Sequence, residues 1–309
     1  MSNAIRYFKA LSDETRLRLA YVLDRYELSV NELVSILEMG QSRVSRHLKI
    51  LTEAGLLNSR RDGLWVFYSS VREGEGAAFL KAAMPFLDDD SEMHADVDMA
   101  ARIIEDRALK TRQFFNTIAE HWDTLSREVL GGFDLAGAVC ARMPEGCEVA
   151  VDLGCGTGLV LERMRGRARQ IIGVDGSPRM LELSRRRLAG VEGEPENVSL
   201  RIGELSHLPL RDCEADFASI NMVLHHLSNP ENALAEIRRV LRPGGLLMAA
   251  DFDRHNQERM RLDYGDLWLG FDEATMTKLL HSAGFEVVSC TRRPVEQELA
   301  LNLTLARRL

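Results

Sequence analysis

The feature that most constrains the fold is the run VAVDLGCGTG at residues 149–158. An apolar run that holds one acid and is followed by glycines is typical of a buried parallel strand that turns into a helix. Gly154, Gly156 and Gly158 have no Cβ, so the backbone can take positive φ and a flat or charged ligand can reach the amides. We therefore predict an α/β domain with a ligand at this turn, and a helix that begins near Leu159.

The glycine spacing separates this turn from a dinucleotide site. It reads G-x-G-x-G, whereas dinucleotide sites have G-x-G-x-x-G, and no phosphate-binding Lys follows the glycines. The next predicted strand, residues 170–175, ends in Asp175, which is 17 residues after Gly158. An acid at that place can accept both hydroxyls of a ribose. The pattern favours a site for a nucleoside ligand over the binding site of a nicotinamide- or nucleotide-binding fold.

Three later motifs extend the pattern: Gly203-Glu204-Leu205, residues 215–222 (ADFASINM) and residues 240–245 (VLRPGG). Together with the glycine turn they resemble the class I S-adenosylmethionine-dependent methyltransferases, in particular those that act on small molecules, over roughly Val149 to Leu309. The resemblance implies a Rossmann-like sheet and S-adenosylmethionine or S-adenosylhomocysteine as the ligand. The expected ligand-binding residues are Asp152, Gly154, Cys155, Gly156, Gly158, Asp175, Ser177, Met180, Glu204, Leu205 and Asn221.

These residues have different expected roles. Asp152 holds the loop or the ligand ammonium, and Asp175 takes the ribose hydroxyls. The adenine is flanked by Ser177 and Met180, and Glu204 with Leu205 meets its amino edge. Asn221 closes the site. Glu204 departs from the Asp that is usual in this family.

Methyl transfer requires in-line approach of an acceptor more than it requires acids or bases, so catalytic residues leave little trace in sequence. The candidate proton acceptors are His225, His226 and His255, with Asp251 and Asp253. No Pro-Pro or Pro-Cys pair is present, which disfavours methyltransferases that modify nucleic-acid bases.

Charge is distributed unevenly along the chain. Residues 1–70 carry 10 basic and 8 acidic side chains, whereas residues 71–147 carry 8 and 15, and the net charge of the whole chain is −8. The window from Arg43 to Arg61 holds five basic residues and one acid. Only this first segment favours binding to a polyanion.

The first seventy residues predict three helices and a hairpin. Helix-start signals occur at Ser12 and at Ser29, where Glu32 stands at capping-box spacing, and the second of these helices is expected to stop at Gly40. The third helix, residues 41–54 followed by Gly55, turns Val44, Leu48 and Leu51 inward and polar residues outward. Two short strands with a turn at Asp62-Gly63 follow. This order predicts a winged helix-turn-helix.

The runs FKALSDETRL at residues 8–17 and SRVSRHL at residues 42–48 resemble the ArsR/SmtB family of bacterial repressors. The resemblance implies a homodimer that binds double-stranded operator DNA. Short polar and Arg side chains at the start of a recognition helix can reach bases and phosphates. The expected DNA-contacting residues are Gln41, Ser42, Arg43, Ser45, Arg46, Lys49, Arg60 and Arg61.

The metal chemistry of that family is not expected here. Arsenic-sensing members carry ELCVCD where this chain has ELSVNE at residues 27–32, so both thiolates are absent. Asp88, Asp89, Asp90, His94 and Asp96 are interpreted as a solvated charge run. We expect no metal. Five scattered cysteines and the lack of a long apolar run indicate neither a disulfide framework nor a membrane span, so we expect a cytoplasmic protein.

A bridge connects the two parts. Residues 73–87 predict a short helix, and apolar residues recur at heptad spacing over residues 97–129, which fits either a coiled coil between chains or a helix packed on the following domain. We favour a helix that breaks near Asn116, with a later part that packs on the following domain as a lid, because Phe114, Phe115 and Trp122 are bulky for a tight coil. The expected domains are residues 1–87, 88–147 and 148–309.

Two functions fit this organisation. One is a transcriptional regulator, of repressor type, whose methyltransferase-like domain senses S-adenosylmethionine or S-adenosylhomocysteine. The other is an active small-molecule methyltransferase with a fused DNA-binding segment. Fold resemblance alone does not establish turnover, and we place the regulator first.

Overall fold

The computed structural model describes residues 3–189 and 197–309, and the chain divides into two compact units, residues 1–107 and residues 108–309. None of the helices in these described stretches has both the length and the apolar character needed to cross a bilayer.

The first unit is mainly helical with a small antiparallel sheet. Its elements are α1 (Asn3–Leu11), α2 (Glu14–Leu23), β1 (Leu28–Ser29), α3 (Val30–Leu37), α4 (Gln41–Ala54), β2 (Leu57–Asp62), β3 (Trp65–Ser70), α5 (Gly74–Ala83), a 3₁₀ turn (Met84–Leu87) and the beginning of α6 (Ser91–Ile118). The strand order is β1-β3-β2. The predicted winged helix-turn-helix is confirmed.

Local chemistry explains where the helices of this unit begin and end. Ser29 and Glu32 form the predicted capping box at the start of α3. This helix ends at Leu37 rather than at Gly40, because Glu38 takes the left-handed conformation, with φ of 51°. Gly40 instead precedes α4 as its N-cap residue.

The hairpin turn lies one residue later than predicted. Asp62 pairs with Trp65, so the turn consists of Gly63 and Leu64. Gly63 provides the positive φ, 57°, that a two-residue turn requires at its first position. Asp62 is buried and accepts a hydrogen bond from Arg60 at 2.9 Å, which keeps it in the strand.

The inward face of α4 is as predicted. Val44, Leu48 and Leu51 are fully buried and pack in the core of the first unit with residues of α2 and α3. Burying one such Leu contributes roughly 1.5–3 kcal/mol. The opposite face of α4 is therefore left to solvent.

The second unit is a seven-stranded sheet covered by helices. Its helices are the remainder of α6, a 3₁₀ turn (Ala119–His121), α7 (Trp122–Leu130), α8 (Leu135–Cys140), α9 (Leu159–Met164), α10 (Pro178–Ala189), a 3₁₀ turn (Leu224–His226), α11 (Pro230–Val240), α12 (Arg259–Asp263) and α13 (Glu273–Ser282). Its strands are β4 (Cys147–Leu153), β5 (Ala168–Asp175), β6 (Val198–Ile202), β7 (Ala215–Asn221), β8 (Leu241–Phe252), β9 (Phe285–Pro294) and β10 (Ala300–Arg308).

The sheet has the order β6-β5-β4-β7-β8-β10-β9, in which β10 alone is antiparallel to its neighbours β8 and β9. The chain order reverses at β4, because β5 lies on one side of it and β7 on the other. In sheets of this type the ligand crevice lies at the carboxyl ends of the strands beside that point. The predicted Rossmann-like class I methyltransferase fold is confirmed, and the glycine turn follows β4.

The heptad-spaced run packs within this chain's own units. In the first unit, Val97 and Ile104 pack on the core formed by α2, α3 and α4. In the second unit, Val129 belongs to the core beside β4. The helix breaks after Ile118, two residues beyond the predicted position.

Candidate nucleoside site and nucleic-acid interface

The glycine turn is anchored by the neighbouring strand β5. The amides of Gly154 and Cys155 donate to the carbonyl oxygen of Val174 at 2.8 and 3.0 Å. The amide of Gly156 donates to Asp175 Oδ2 at 2.8 Å. These hydrogen bonds anchor the turn through β5.

Two glycines of the turn serve different purposes, and both have positive φ. At Gly154, with φ of 67°, a Cβ would lie 2.6 Å from Val223 Cγ2, so this position requires glycine for packing. At Gly156, with φ of 52°, the nearest atom to a Cβ would be Trp122 Nε1, 3.7 Å away. The space in front of Gly156 is therefore open, and a side chain there would occupy it.

Asp175 ends β5 at the turn. Its Oδ1 accepts from the Ser177 amide at 2.8 Å, and its Oδ2 accepts from the Gly156 amide. Burial raises the pKa of Asp175 although these amides act in the opposite direction. Each carboxylate oxygen keeps a lone pair, so the group can also accept the two hydroxyls of a ribose.

Asp152 lies beneath the turn and is 2% exposed. Its Oδ1 accepts from Ser219 Oγ at 2.6 Å and from Asn221 Nδ2 at 3.2 Å. Burial raises the pKa of Asp152 to about 7, against the effect of these two donors. Asn221 Oδ1 is buried and has no hydrogen-bond partner among the described residues. An ammonium group would satisfy both the carboxylate and this amide oxygen.

The remaining residues that we expect to bind the ligand differ in how buried they are. Ser177 Oγ accepts from the Met180 amide at 3.1 Å, and both side chains are 2% exposed. Glu204 is exposed, and Leu205 packs partly on the core. The Cys155 side chain is buried in the core, where burial raises its pKa well above the usual value, so only its backbone is available to a ligand.

Residues 112–123, which we call the lid, cover this site within the second unit. Asn116 Oδ1 accepts from Ser177 Oγ at 2.6 Å, and Arg112 pairs with Glu204 at 3.1 Å. These contacts were not predicted individually, although the bulky aromatic residues indicated the lid. The lid reaches residues on two of the motifs expected to bind the ligand.

The end of the lid is fixed to the glycine turn. Thr157 Oγ1 donates to Asp123 Oδ1 at 2.6 Å, and Asp123 also pairs with Arg187 of α10. Trp122 lies over Gly156. A ligand on the turn would therefore meet the lid directly.

Two of the three candidate catalytic histidines come together. His225 Nδ1 lies 2.6 Å from Asp251 Oδ1, and the His225 and His226 ring centroids are 4.0 Å apart. Burial opposes protonation of His225, but Asp251 and Asp266 outweigh it and raise its pKa. Burial and the neighbouring His225 lower the pKa of His226 well below its usual value.

A cavity of about 20 Å³ adjoins these histidines, and its lining includes Trp122, Met222 and Tyr264. That volume holds a single water molecule. His255 is not part of this lining; its ring packs on Phe252, and its Nδ1 accepts from the Gln257 amide at 3.2 Å. The third catalytic candidate is therefore separate from the other two.

The expected DNA-contacting face lies in the first unit. Its members that are exposed to solvent are Gln41, Ser42, Arg43, Ser45, Arg46, Lys49 and Arg61. Arg60 differs, because its guanidinium binds Glu27 at 2.9 and 3.1 Å and Asp62 at 2.9 Å. We therefore remove Arg60 from the residues that we propose to contact DNA.

The sequence suggested that the acidic run after α5 is solvated, but the structure shows that it is not fully so. Asp96 is 4% exposed and accepts two hydrogen bonds of 2.7 Å from Arg18. Asp88 accepts from the Tyr21 hydroxyl at 2.8 Å. Breaking a buried pair such as Arg18 with Asp96 costs about 3–5 kcal/mol. These acids join the beginning of α6 and the turn before it to α2.

Comparison with known families agrees with this geometry. The methyltransferase domain model matches residues 151–249, and the model of bacterial regulatory proteins of the arsR family matches residues 13–59. The chain thus joins a segment of a regulator class to a domain of a methyltransferase class.

Individual proteins resemble one part or the other. The arsenic resistance transcriptional regulator ArsR1 of Pseudomonas putida is 50% identical over 20% of this chain and 48% of its own length. A demethylmenaquinone methyltransferase of Desulfitobacterium hafniense is 28% identical over 63% of this chain and 81% of its own length. An uncharacterized 37.1 kDa protein in transposon TN4556 of Streptomyces fradiae is 39% identical over 39% of this chain, which spans about a third (34%) of that protein.

Among solved structures, the complex of the Haloferax volcanii Trm112 methyltransferase activator with a methyltransferase contains a chain with a TM-score of 0.52 and 21% identity. The match covers 62% of this chain and 96% of that one. This likeness supports the fold. The protein is a fusion of an ArsR-type helix-turn-helix segment with a class I methyltransferase domain, a fold that implies an S-adenosyl ligand.

Proposed function

We propose that this protein is a DNA-binding transcriptional repressor that senses S-adenosylmethionine or S-adenosylhomocysteine through its methyltransferase domain. The residues proposed to hold the ligand fit such a group. Asp175 has free lone pairs for a ribose, Gly156 has open space before it, and Asn221 Oδ1 is a buried acceptor with no hydrogen bond among the described residues. The proposed DNA-contacting face is exposed and basic.

The observation that carries the proposal is that one helix, α6, contributes contacts to the functional elements of each unit. In the first unit, Asp96 binds Arg18 of α2, and Arg107 pairs with Glu32 of α3. Glu32 is the residue that closes the capping box of α3, the first helix of the helix-turn-helix.

In the second unit, the end of the same helix belongs to the lid. Arg112 pairs with Glu204, and Asn116 accepts from Ser177. Both partners belong to the set expected to bind the nucleoside. A ligand that favours one arrangement of the lid shifts the population of α6 arrangements, and it can do so only by its difference in affinity for them. This supports α6 as the carrier of the signal.

Fluorescence anisotropy tests the proposal. The full chain is titrated onto a labelled promoter fragment with no ligand, with S-adenosylmethionine and with S-adenosylhomocysteine. We expect at least one ligand to change the DNA affinity. If neither changes it, while calorimetry shows that the ligand binds, the sensing function is wrong.

Two variants locate the response. Asp175→Ala should abolish the ligand effect and keep the DNA affinity of the ligand-free protein, whereas Glu286→Ala, an exposed acid on β9, should change neither. Asn116→Ala should keep ligand binding but reduce its effect on DNA, because it removes the hydrogen bond from Ser177 to the lid.

The second candidate function is methyl transfer to a small molecule, and the His225–Asp251 pair beside the cavity favours it. A carboxylate that orients an imidazole is a common base for a hydroxyl acceptor. Because matched relatives are demethylmenaquinone methyltransferases, a reduced naphthoquinone is the first acceptor to test. Release of S-adenosylhomocysteine that depends on the acceptor would establish turnover.

A further inference from the structure

A buried cluster of two histidines and one aspartate in the second unit has no role in the proposed sensing function. His225, His226 and Asp266 are 2%, 4% and 3% exposed. One nitrogen from each ring and one oxygen of Asp266 lie within 4.8 Å of one another. The two histidines belong to the 3₁₀ turn after β7, and Asp266 follows α12.

The hydrogen bond of His225 determines which of its nitrogens carries a lone pair. Its Nδ1 lies 2.6 Å from Asp251 Oδ1, and a neutral ring donates its proton there. Its Nε2 then has a free lone pair and lies 3.6 Å from Asp266 Oδ1. A carboxylate that orients a histidine in this way is the usual outer partner of a metal-binding imidazole.

A backbone carbonyl likewise determines which nitrogen of His226 carries the proton. Its Nδ1 lies 3.2 Å from the carbonyl oxygen of Gly265, which can only accept, so the proton belongs on Nδ1. Its Nε2 carries the lone pair and, among the described residues, has no hydrogen-bond partner. An imidazole nitrogen that is buried with an unused lone pair is suited to a cation.

We propose that His225, His226 and Asp266 bind one divalent transition metal of the Zn²⁺ type, with Asp251 as the outer partner of His225. At metal–ligand distances of about 2.0–2.2 Å and tetrahedral angles, the ligand atoms stand roughly 3.3 Å apart. Asp266 Oδ1 lies 3.6 Å from His225 Nε2, close to this spacing, and the three residues each offer a ligand atom within 4.8 Å of the others.

The ligand types select the class of metal. Two imidazoles and one carboxylate suit Zn²⁺, Co²⁺ or Fe²⁺, whereas Mg²⁺ and Ca²⁺ prefer oxygen ligands alone. Three protein ligands leave a fourth position, and the adjoining cavity of about 20 Å³ has room for the water that would fill it. This proposal departs from the expectation of a chain without metal.

Cobalt titration of the full chain tests the site without any adenosyl ligand, so its result does not depend on the sensing function. Protein freed of metal by a chelator is titrated with CoCl₂ and followed by absorption spectroscopy. We expect one Co²⁺ per chain with visible ligand-field bands and no thiolate charge-transfer band, which separates this site from binding to the five cysteines.

Variants assign the ligands. His226→Gln and Asp266→Asn should lose the bands, and Asp251→Asn should weaken binding about 10- to 100-fold. The control His281→Gln removes an exposed histidine at the end of α13 and should bind Co²⁺ as the parent does. Circular dichroism and thermal unfolding check the fold of each variant.

The proposal is overturned if the parent binds no Co²⁺ at one equivalent, or if folded His226→Gln and Asp266→Asn keep the parent's bands. Either result would show that the cluster is not a site for a divalent transition metal. If one ligand variant does not fold, the stoichiometry of the parent and the affinity of Asp251→Asn still decide.

Discussion

Replacing Asp152 by Asn should stabilise the ligand-free protein and weaken the ligand at the same time. The Asp152 carboxyl is 2% exposed, and burial raises its pKa from 3.8 to about 7. Asn has a similar shape and can still accept from Ser219 Oγ and Asn221 Nδ2 through its oxygen. The substitution therefore removes a buried ionisable group and keeps the two hydrogen bonds to β7.

The pH dependence follows from this pKa. The unfolded chain loses the Asp152 proton near pH 4, whereas the folded chain keeps it until about pH 7. Between these values the unfolded state binds fewer protons, so the free energy of unfolding falls as pH rises and levels off above pH 7. The loss approaches about 4 kcal/mol, of which about 3 kcal/mol falls between pH 5 and pH 8.

Urea unfolding followed by circular dichroism at pH 5 and pH 8 measures this effect. The advantage of Asp152→Asn over the parent should grow by about 3 kcal/mol between the two values. The control Asp263→Asn makes the same chemical change at an exposed residue of α12 and should show no such growth. An advantage that is equal at both pH values would refute the reasoning about Asp152.

Calorimetry supplies the second half of the prediction. A hydrogen bond to a charged group contributes about 1.5–3 kcal/mol, against about 0.5–1.5 kcal/mol for a neutral one, so S-adenosylhomocysteine should bind Asp152→Asn roughly 10-fold more weakly. Equal affinity in parent and variant would show that the ligand ammonium does not meet Asp152.

Three further substitutions test other parts of the molecule. Gly156→Ala should cost about 1–2 kcal/mol in thermal unfolding, because φ is 52°, and should weaken ligand binding by calorimetry, because the Cβ fills the open space. Arg43→Ala or Arg46→Ala should weaken operator binding by about 1–3 kcal/mol if the residue reads a base, or lower the salt slope of anisotropy titrations by about 1 if it binds a phosphate. Glu32→Ala should lower the free energy of unfolding by about 0.5–2 kcal/mol, since it opens the capping box of α3 and releases Arg107.

The sequence predicted the features that depend on neighbouring residues. The glycine turn, the capping box at Ser29 and the end of α4 at Gly55 are specified by a few consecutive side chains, and each lies where it was expected. The hairpin turn was misplaced by one residue. Its position depends on Asp62 being held in the strand by Arg60, which the turn residues alone do not show.

Features that depend on distant residues were predicted less completely. The heptad-spaced run fits both a coiled coil and an intrachain helix, because periodicity shows which face is apolar and not what covers it. The residues that contact this helix are distant in sequence. Ser177 lies 61 residues after its partner Asn116, and Glu204 lies 92 residues after its partner Arg112. The pairing of His225 with Asp251 is likewise a product of the sheet order, in which β7 and β8 are neighbours.

The lid also bears on the choice between sensing and turnover. Trp122 of the lid lines the cavity beside His225, together with Ser126 and Val129 of α7, so the lid also borders the space where a methyl acceptor would approach. A cavity of about 20 Å³ holds a water molecule, and a larger acceptor would need the side chains that line it to move. Under the two proposed functions, a methyl acceptor would need this lining to open, whereas sensing needs only a ligand that favours one arrangement of the lid. Trp122→Ala should enlarge the cavity and, if the domain can turn over, raise acceptor-dependent release of S-adenosylhomocysteine while reducing the ligand's effect on DNA binding. A variant that loses both activities would show instead that one closed state of the lid serves both.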